Sequence, residues 1–317
     1  DSDFSKKIHS CNINDVNIFK ESYSLNHRTR AFLKVQDGCN YKCSFCTIPL
    51  ARGKSRSNTI SNVIDNVRKI ASENIKEIVL TGINLGDFGA NSNDSIQYDF
   101  FDLVKELDKL DLSVRFRISS IEPNLLTDEI IEFISTSKSF VHHFHIPLQS
   151  GSDSVLKLMR RRYDSKLYNS RIKMINQLMP DACIGVDVIV GFPGEDDDKF
   201  LESMSFIEDL DISYLHVFKY SERDNTHAIT LSNIVNPKIR SKRSKLLRLL
   251  SSRKKARFYN KNIGTTHQVL FESEDKNGFI EGFSSNYVRF RKKWDSSLAG
   301  RIVESKFTEI DSEGFAI

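Results

Sequence analysis

The sequence predicts an α/β fold, a partial (βα)6 barrel with parallel strands, followed by a small all-β domain. From Ala31 onward, short β-branched or apolar runs alternate with longer amphipathic stretches, which is the pattern of parallel strands joined by helices. After Asn262, the runs become short and alternate in polarity, with turn residues between them. Six units are fewer than the eight of a closed barrel, so we expect an open side that admits a large substrate.

Strands and helices alternate along the predicted barrel, which we assign to residues 29–257. Residues 1–28 are polar and show little periodicity, so we interpret them as a linker remnant. The strands of the predicted barrel are Phe32–Gln36, Glu77–Thr81, Ser113–Ile118, His142–Pro147, Ala182–Val190 and Tyr214–Tyr220. The helices between these strands are Thr59–Glu73, Phe100–Leu110, Leu125–Ser135, Ser165–Met179 and Glu195–Leu210.

The C-terminal quarter of the chain is basic. Residues 238–317 carry a net charge of +9, whereas residues 1–237 carry −5. Residues 237–257 are predicted to form a basic helix, and residues 258–317 a small barrel of the oligonucleotide-binding type. The predicted strands of this small barrel are Thr266–Phe271, Gly278–Phe283, Tyr287–Phe290, Arg301–Phe307 and Gly314–Ile317.

Aromatic and basic residues interleave in this C-terminal region. Such a basic helix is often only a solvated surface. Here, however, aromatic side chains that can stack on bases follow cations that can meet phosphates, which favours RNA binding. The predicted RNA contacts are Arg253, Lys254, Lys255, Arg257, Phe283, Tyr287, Arg289, Arg291 and Lys292.

Composition excludes several classes of protein. Of the 317 residues, 39% are apolar and 28% are charged, as in soluble globular proteins. No run reaches the roughly eighteen apolar residues of a membrane helix, and no secretory signal is visible. Five cysteines, three of them within eight residues, do not form a disulfide framework and suit a reducing compartment. We therefore expect a cytoplasmic protein, and we expect it to be a monomer.

Three cysteines, Cys39, Cys43 and Cys46, directly follow the first predicted strand. Active sites of parallel α/β folds are built on the loops at this edge of the sheet. A cubane iron–sulfur cluster normally takes four thiolates, so three leave one iron open, as a catalytic metal site requires. A zinc site would need a fourth ligand, and neither Cys nor His occurs in the ten residues after Cys46. The spacing therefore favours a catalytic [4Fe-4S] cluster over zinc or simple burial.

The CxxxCxxC spacing of this loop resembles the signature of the radical S-adenosylmethionine (SAM) superfamily. The resemblance implies that the open iron binds the amino and carboxylate groups of SAM. It also implies that an electron from the cluster cleaves SAM to a 5′-deoxyadenosyl radical. Phe45 matches the aromatic position beside the last cysteine, near the adenine of SAM, with core packing as the alternative.

Longer segments resemble the methylthiotransferase branch of this superfamily. They are residues 30–39, 44–53, 80–89, 117–123, 145–151 and 191–195. In addition, the last small barrel resembles a TRAM domain. Within the branch, the resemblance is greatest to enzymes acting on N6-threonylcarbamoyladenosine of tRNA, which implies tRNA as partner and a flavodoxin or ferredoxin as reductant. Siblings that act on isopentenyladenosine or on an aspartate of a ribosomal protein stay open. So does an unrelated alternative, a non-catalytic RNA-binding module with a structural metal.

Further candidates for SAM contacts follow the other strands of the barrel. Each could instead serve a turn or a helix cap. Glycine after the second strand allows a close backbone approach, and the resemblance places that loop at the amino group of SAM. A carboxylate could accept ribose hydroxyls, and a guanidinium could pair with the methionyl carboxylate. These candidates are Thr81, Gly82, Asn84, Ser120, Glu122, Gln149, Ser150 and Arg161.

Other conspicuous residues have simpler interpretations. Glu195 is expected to start a helix, where acids suit the dipole, although the resemblance places its loop near adenine. His143 and His145 share a strand face, but we consider a metal site there less favoured. Cys183 lies in an apolar strand and is predicted to be core, and Cys11 is predicted to be free.

One feature of the methylthiotransferase branch has no counterpart in the sequence. Members carry an N-terminal domain in which three further cysteines hold a second [4Fe-4S] cluster, whereas here only Cys11 precedes the radical motif. We therefore interpret the chain as a fragment that covers the radical and TRAM domains. We expect it to generate the radical without completing methylthio transfer.

Overall fold

The computed structural model describes residues 12–16, 18–24, 29–90 and 97–317. The barrel domain contains the strands β1 (Ser22–Ser24), β2 (Arg30–Lys34), β3 (Gln36–Asp37), β4 (Arg56–Ser57), β5 (Glu77–Thr81), β6 (Arg115–Ile118), β7 (His143–His145), β8 (Cys183–Val190) and β9 (Tyr214–Lys219). Its helices are α1 (Ile48–Arg52), α2 (Ile60–Ser72), α3 (Phe100–Asp108), α4 (Asp128–Thr136), α5 (Asp153–Leu158), α6 (Ser165–Leu178), α7 (Asp197–Asp209) and α8 (Pro237–Asn262).

The strands form the predicted partial barrel. Their order is β1-β2-β5-β6 followed by β7-β8-β9, and a parallel bridge between Phe116 and Phe140 links the two sets. The pairs β2–β5, β5–β6, β7–β8 and β8–β9 are parallel, as βα units require. The strands β3 and β4 form a separate two-stranded ribbon. The prediction of six parallel strands in a partial barrel is therefore confirmed.

Helix α2 shows how the sequence covers the outside of the barrel. The Thr59 side chain caps the helix by accepting a hydrogen bond from the Asn62 amide at 3.2 Å. Val63, Val67 and Ile70 follow at helical spacing and are fully buried against the strands. Each buried aliphatic side chain of this kind contributes about 1.5–3 kcal/mol.

Most predicted boundaries of strands and helices lie within three residues of the observed ones, and two larger differences affect how the chain packs. Ser22–Ser24, which fall in the predicted linker, form β1 and pair antiparallel with β2 at the edge of the sheet. Helix α8 continues to Asn262, past its predicted end at residue 257, because Phe258 and Tyr259 are buried against the small domain. Within the described ranges, no helix combines the length and the apolar character needed to cross a membrane.

The small domain is an antiparallel sheet with the order β12-β11-β10-β13. Its strands are β10 (Thr266–Phe271), β11 (Phe279–Ser284), β12 (Arg289–Lys293) and β13 (Ile302–Lys306). The predicted fifth strand at residues 314–317 is wrong, since only isolated bridges from Ala316 to Phe290 and Ile310 form there. Gly314 has a φ of +82°, which turns the backbone so that little of the segment runs along the sheet.

The small domain closes the end of the barrel at which the strands begin. There Glu77 is fully buried and accepts hydrogen bonds from Arg115 at 2.6 Å and Arg117 at 3.1 Å. Arg115 also donates to the carbonyl oxygens of Gln268 and Phe283 in the small domain. Although burial alone would raise the pKa of Glu77, the charges of Arg117 and Arg115 hold it well below its usual range. A paired charge network therefore joins the two domains.

Candidate active site

The cysteine loop leaves the barrel at the opposite end, where the strands finish. It is anchored at its base, where the Cys39 amide donates to the carbonyl oxygen of Gly53 at 3.1 Å. Gly38 has a φ of +72°, and a Cβ there would lie 2.0 Å from the carbonyl oxygen of Lys54. Only glycine fits this turn, so the backbone itself fixes where the first cysteine begins.

All three thiols of the loop are half-buried and face hydrogen-bond donors. The Tyr41 amide lies 3.3 Å from Sγ of Cys39, and the Ile48 amide lies 3.4 Å from Sγ of Cys46. The Arg161 guanidinium donates to Sγ of Cys43 at 3.1 Å. Donors of this kind stabilise sulfur ligands that carry negative charge. Burial raises the pKa of the Cys39 thiol to about 11, and it also raises the pKa of Cys43.

The spacing of the thiols distinguishes a cluster from a single metal ion. Tetrahedral zinc with bonds of about 2.3 Å brings its sulfur ligands to within about 3.8 Å of one another. In the described part of the chain, the three thiols are not among the groups whose ligand atoms converge within 4.8 Å. A cluster binds each thiolate through a different iron and therefore accepts wider spacing. The three cysteines thus fit a [4Fe-4S] cluster better than one ion.

Gln36 links the cysteine loop to the loop after β5, and the sequence analysis missed it. Its side chain is fully buried, and Nε2 donates to the Gly38 carbonyl at 2.8 Å and to Ser55 Oγ at 2.9 Å. Its Oε1 accepts from the Asn84 amide at 2.9 Å. The close approach that requires glycine at Gly82 is to this side chain, since a Cβ would lie 2.9 Å from Gln36 Oε1. The signal that the sequence offered for Gln36 was a polar amide at the end of the first predicted strand, next to the cysteine loop.

Two predicted SAM residues carry buried oxygen atoms without a hydrogen-bond partner. They are Oδ1 of Asn84 and Oε1 of Gln149. Gln149 has a φ of +67°, an unfavourable value that its backbone bonds to Asp187 and Ile189 maintain at 2.8 and 2.9 Å. Strained backbone and unpaired buried polar atoms concentrate where ligands bind. These two side chains are therefore suited to contact a polar cofactor.

Arg161 connects Glu122, another predicted SAM residue, with the cysteine loop. Its guanidinium pairs with the Glu122 carboxylate and donates to the Tyr163 hydroxyl at 3.1 Å, besides its bond to Cys43. The expected partners of Arg161 and Glu122 were two different groups of SAM, but in this structure they bind each other. The pair therefore lies directly beside the thiols and can reorganise when a charged ligand arrives.

The remaining predicted SAM contacts lie in different surroundings. Thr81 and Gly82 line an open cavity of about 420 Å³ beside β1. Ser120 follows β6 and is half-buried. Ser150 is 1% exposed, and its hydroxyl accepts from the Ser152 amide at 3.2 Å, which is a turn role. Phe45 packs edge-to-face against Phe192 with ring centroids 6.2 Å apart, so core packing accounts for at least part of its burial.

The loop at residues 191–195 contradicts one expectation. Glu195 does not start helix α7, because Asp196 is the capping residue and accepts from the Lys199 amide at 2.9 Å. Glu195 is instead buried, and it accepts from the Gly191 amide at 2.8 Å and from Arg243 at 2.7 Å. An arginine of the basic helix therefore holds the loop in place, which the spacing of residues along the chain could not reveal.

Two aromatic residues predicted to contact RNA lie in the contact between the domains. The Tyr287 ring centroid is 4.5 Å from that of His143 and 4.4 Å from the Arg117 guanidinium. The Arg30 guanidinium lies 4.8 Å from the Phe283 ring centroid. Both rings are half-buried by these contacts, so Phe283 and Tyr287 do not present open faces for stacking on bases.

The predicted RNA contacts of the small domain are largely paired within it. Arg289 and Arg291 bind the carboxylate of Glu281 at 3.3 and 3.1 Å. Arg291 also binds Glu313 at 2.8 Å. Lys292 donates to the Ser305 hydroxyl at 2.9 Å. These cations thus have internal partners, and only part of their charge is available to a polyanion.

Helix α8 contains both buried and exposed cations. Lys254 is 7% exposed, and its Nζ donates to the carbonyl oxygens of Glu208 and Leu210 at 3.1 and 2.6 Å. The prediction that Lys254 contacts RNA is therefore wrong, because the ammonium group serves packing of α8 against the barrel. The side chains of Arg253 and Arg257 are 70% and 75% exposed. The predicted contacts that remain exposed on this helix are Arg253, Lys255 and Arg257, although Arg253 also pairs with Glu208 at 3.6 Å and Arg257 with Asp211 at 3.9 Å.

Comparison with known proteins agrees with this fold. Residues 33–207 match the Radical SAM superfamily. The chain is 39% identical over 285 residues to the Threonylcarbamoyladenosine tRNA methylthiotransferase MtaB of Bacillus subtilis, and covers 62% of that protein with 88% of its own length. It is 32% identical to the tRNA-2-methylthio-N(6)-dimethylallyladenosine synthase of Aliarcobacter butzleri, with 94% of this chain and 69% of that protein covered.

A solved structure resembles part of the chain. It is the radical S-adenosylmethionine methyltransferase TsrM of Kitasatospora setae, with a TM-score of 0.50 and 14% identity, over 59% of this chain and 34% of that one. The chain combines a partial barrel, three thiols at the strand ends and a match to the Radical SAM superfamily, so it is a radical SAM protein. The cofactors of such a protein are a [4Fe-4S] cluster and SAM. The chain belongs to the radical SAM superfamily and, within it, to the family of tRNA methylthiotransferases.

Proposed function

We propose that this chain is the radical and RNA-binding part of an enzyme that adds a methylthio group to carbon 2 of N6-threonylcarbamoyladenosine in the tRNA anticodon loop. The observation that carries the proposal is the three-thiol loop at the open end of the barrel, in a chain 39% identical to a threonylcarbamoyladenosine tRNA methylthiotransferase. The chain spans only 62% of that relative, so the complete activity is proposed for the whole protein.

The chain offers separate groups for the two cofactors. Cys39, Cys43 and Cys46 would hold a [4Fe-4S] cluster and leave one iron open for SAM. When bound, the cluster and SAM together supply the one-electron chemistry that activates an unreactive C–H bond. The unpaired oxygens of Asn84 and Gln149 would accept hydrogen bonds from polar groups of SAM. Thr81, Ser120 and Phe45 would line the same cleft.

Arg161 and Glu122 would adjust the charge around the cluster. Arg161 lies 3.1 Å from the Cys43 sulfur and would offset the negative charge of the thiolates. Because the same guanidinium pairs with Glu122, an arriving SAM carboxylate would compete for Arg161 and free Glu122 for a ribose hydroxyl. A flavodoxin- or ferredoxin-type reductant would deliver the electron.

Binding of tRNA would rely on the exposed face of helix α8. Arg253, Lys255 and Arg257 lie on its last turns, next to the small domain. The residual charge of Arg289, Arg291 and Lys292 would extend this surface into the small domain, which we propose to be a TRAM domain covering residues 263–317. Phosphate contacts of this kind supply affinity without sequence selection. The protein would act in the cytoplasm as a monomer.

Three alternative functions have less support. The relative from Aliarcobacter supports the sibling activity on dimethylallyladenosine. Its identity to this chain is 32%, however, whereas the threonylcarbamoyladenosine enzyme of Bacillus subtilis is 39% identical. A non-catalytic RNA-binding module would use the cysteines structurally, and the failure of their thiols to converge around one ion argues against it. Methylthiolation of a ribosomal protein aspartate has no observation in its favour beyond family membership.

Nucleoside analysis of tRNA from a deletion strain tests the proposal. Complementation with the full-length gene is expected to restore methylthio-threonylcarbamoyladenosine, measured by mass spectrometry, while dimethylallyl derivatives stay unchanged. A full-length gene carrying Cys39→Ala, Cys43→Ala and Cys46→Ala is expected to restore nothing, and Cys183→Ala serves as the matched control. Restoration of the dimethylallyl derivative instead would favour the sibling activity and contradict our choice of substrate.

A further inference from the structure

Alternate residues of the barrel strands face away from the helices and line the interior of the barrel. On β8, Val186 and Val188 belong to the apolar core under the helices, whereas Asp187 between them does not. On β9, Leu215 and Val217 belong to that core, whereas His216 between them is exposed. Side chains alternate across a strand, so the strand residues that are not part of the core under the helices point to the interior of the barrel. The inward positions include Phe32, Lys34, Glu77, Arg115, Arg117, His143, His145, Asp187, His216 and Phe218.

This interior has two levels with different properties. At the level near the small domain, Glu77 is paired with Arg115 and Arg117, and that end is closed. One level higher, His145 Nε2 lies 2.8 Å from Asp187 Oδ1, and the His145 and His216 ring centroids are 5.5 Å apart. Ligand-type atoms of His145, Asp187 and His216 all lie within 4.8 Å of one another. We call these three residues the interior polar triad.

The interior polar triad lies directly beneath the proposed SAM site. The amides of Leu148 and Gln149 both donate to the carbonyl oxygen of Asp187, at 3.1 and 2.8 Å. His145 is the last residue of β7, and Asp187 and His216 each lie three residues before the end of their strand, which is about 10 Å at the rise of a strand. His216 is exposed, and Phe218, two residues further along β9, is 53% exposed. Polar groups and an open aromatic ring inside a barrel indicate room for a planar ligand with polar substituents.

Resting on the proposed function, we propose that the interior polar triad binds the N6 substituent of the target adenosine and selects a carboxylate-bearing threonylcarbamoyl group over a hydrocarbon group. The imidazole N–H of His216 donates to the substituent's carboxylate, while the Asp187 carboxylate, which His145 Nε2 holds at 2.8 Å, accepts from its hydroxyl or amide N–H. A dimethylallyl group offers none of these partners and would leave the polar groups desolvated and unpaired, which is the strongest source of discrimination.

Equilibrium binding tests this inference separately from the proposed function. The full-length holoprotein is titrated anaerobically with anticodon stem-loops that carry threonylcarbamoyladenosine, dimethylallyladenosine or unmodified adenosine. The wild type is expected to prefer the threonylcarbamoyl stem-loop over the other two by about tenfold or more, as charged hydrogen bonds allow. His216→Leu is expected to reduce that preference to near one, and His216→Gln, which keeps a donor, to retain part of it. His142→Leu, just before β7 and outside the triad, is the matched control.

Three outcomes would overturn the inference. His216→Leu could retain the full preference while the enzyme still methylthiolates threonylcarbamoyladenosine, in which case the proposed function stands and the triad has another role. The wild type could prefer the dimethylallyl stem-loop. Metal analysis of the Cys39→Ala, Cys43→Ala and Cys46→Ala protein could find one equivalent of a divalent ion that His216→Leu removes, which would make the triad a metal site. Failure of the wild type to modify any tRNA would contradict the proposed function itself.

Discussion

The two ends of the barrel differ in how their buried polar groups are paired. At the end closed by the small domain, the Glu77 carboxylate is shared by Arg115 and Arg117, and Arg115 continues to carbonyl oxygens of the other domain. At the open end, buried oxygens of Asn84 and Gln149 have no hydrogen-bond partner, and Gln149 adopts an unfavourable backbone conformation. Both ends are polar, so polarity alone does not identify a site.

The difference lies in what each end leaves unsatisfied. A buried polar group without a partner costs about 1–3 kcal/mol, and such groups are kept where a ligand completes them. At the closed end, Nη1 of Arg117 and Nη2 of Arg30 also lack a hydrogen-bond partner, but both guanidinium groups pair with the Glu77 carboxylate in a network that joins the domains. We therefore expect substitutions at the open end to change cofactor chemistry and substitutions at the closed end to change stability. The predictions below test this division, from the largest expected effect to the smallest.

Removal of the cysteine thiols is expected to have the largest effect. The reconstituted Cys39→Ala, Cys43→Ala and Cys46→Ala protein is expected to lose the visible absorption of the cluster and to reduce SAM cleavage by dithionite to background. Cys183→Ala is the matched control, because that thiol is 2% exposed and burial raises its pKa to about 12, which keeps it unreactive. Substantial SAM cleavage by the triple variant would contradict the assignment of the open end.

Substitution of Glu77 tests the closed end. Glu77→Gln leaves two buried guanidinium groups without their counter-charge and is expected to lower the free energy of unfolding by about 3–5 kcal/mol. Urea unfolding measures this effect, and Glu132→Gln on the exposed face of α4 is expected to change it by less than about 0.5 kcal/mol. A similar small effect for Glu77→Gln would mean that the network contributes no stability.

The same network predicts a dependence of stability on pH. Because the folded pKa of Glu77 is lowered, its stabilising contribution is complete above its unfolded pKa of about 4.3 and is lost as the pH falls below that value. The wild type is therefore expected to lose stability below about pH 4 more steeply than Glu77→Gln does. Parallel acid unfolding curves for the two proteins would contradict this account.

The sequence predicted local motifs and repeating patterns better than contacts between distant residues. The cysteine spacing identified the thiol loop because the motif is local, and strand alternation identified the barrel because it repeats along the chain. The contact of Phe283 and Tyr287 with the barrel, the burial of Lys254 and the pairing of Glu195 with Arg243 depend on residues far apart in sequence. A charged or aromatic residue has the same sequence signature whether its partner is RNA or another part of the chain.

Arg161 tests whether the open end responds to SAM. Arg161→Lys keeps the charge but loses the planar guanidinium that reaches Glu122 and Cys43 together, so we expect the KM for SAM to rise about 10- to 100-fold. The neighbouring Arg160→Lys is the matched control because Arg160 is exposed. A lowered melting temperature with an unchanged KM would assign Arg161 to structure alone.

Two neighbouring lysines of helix α8 carry the smallest and most specific prediction. Lys255 is exposed, whereas the buried ammonium group of Lys254 donates hydrogen bonds to two carbonyl oxygens of the barrel. Lys255→Gln is expected to weaken tRNA binding severalfold and to reduce the slope of log K against log salt by about 1, the loss of one phosphate contact. Lys254→Gln is expected to lower stability without changing that slope. Equal slopes for Lys255→Gln and the wild type would remove α8 from the RNA surface, and a changed slope for Lys254→Gln would show that burial does not separate structural from functional cations here.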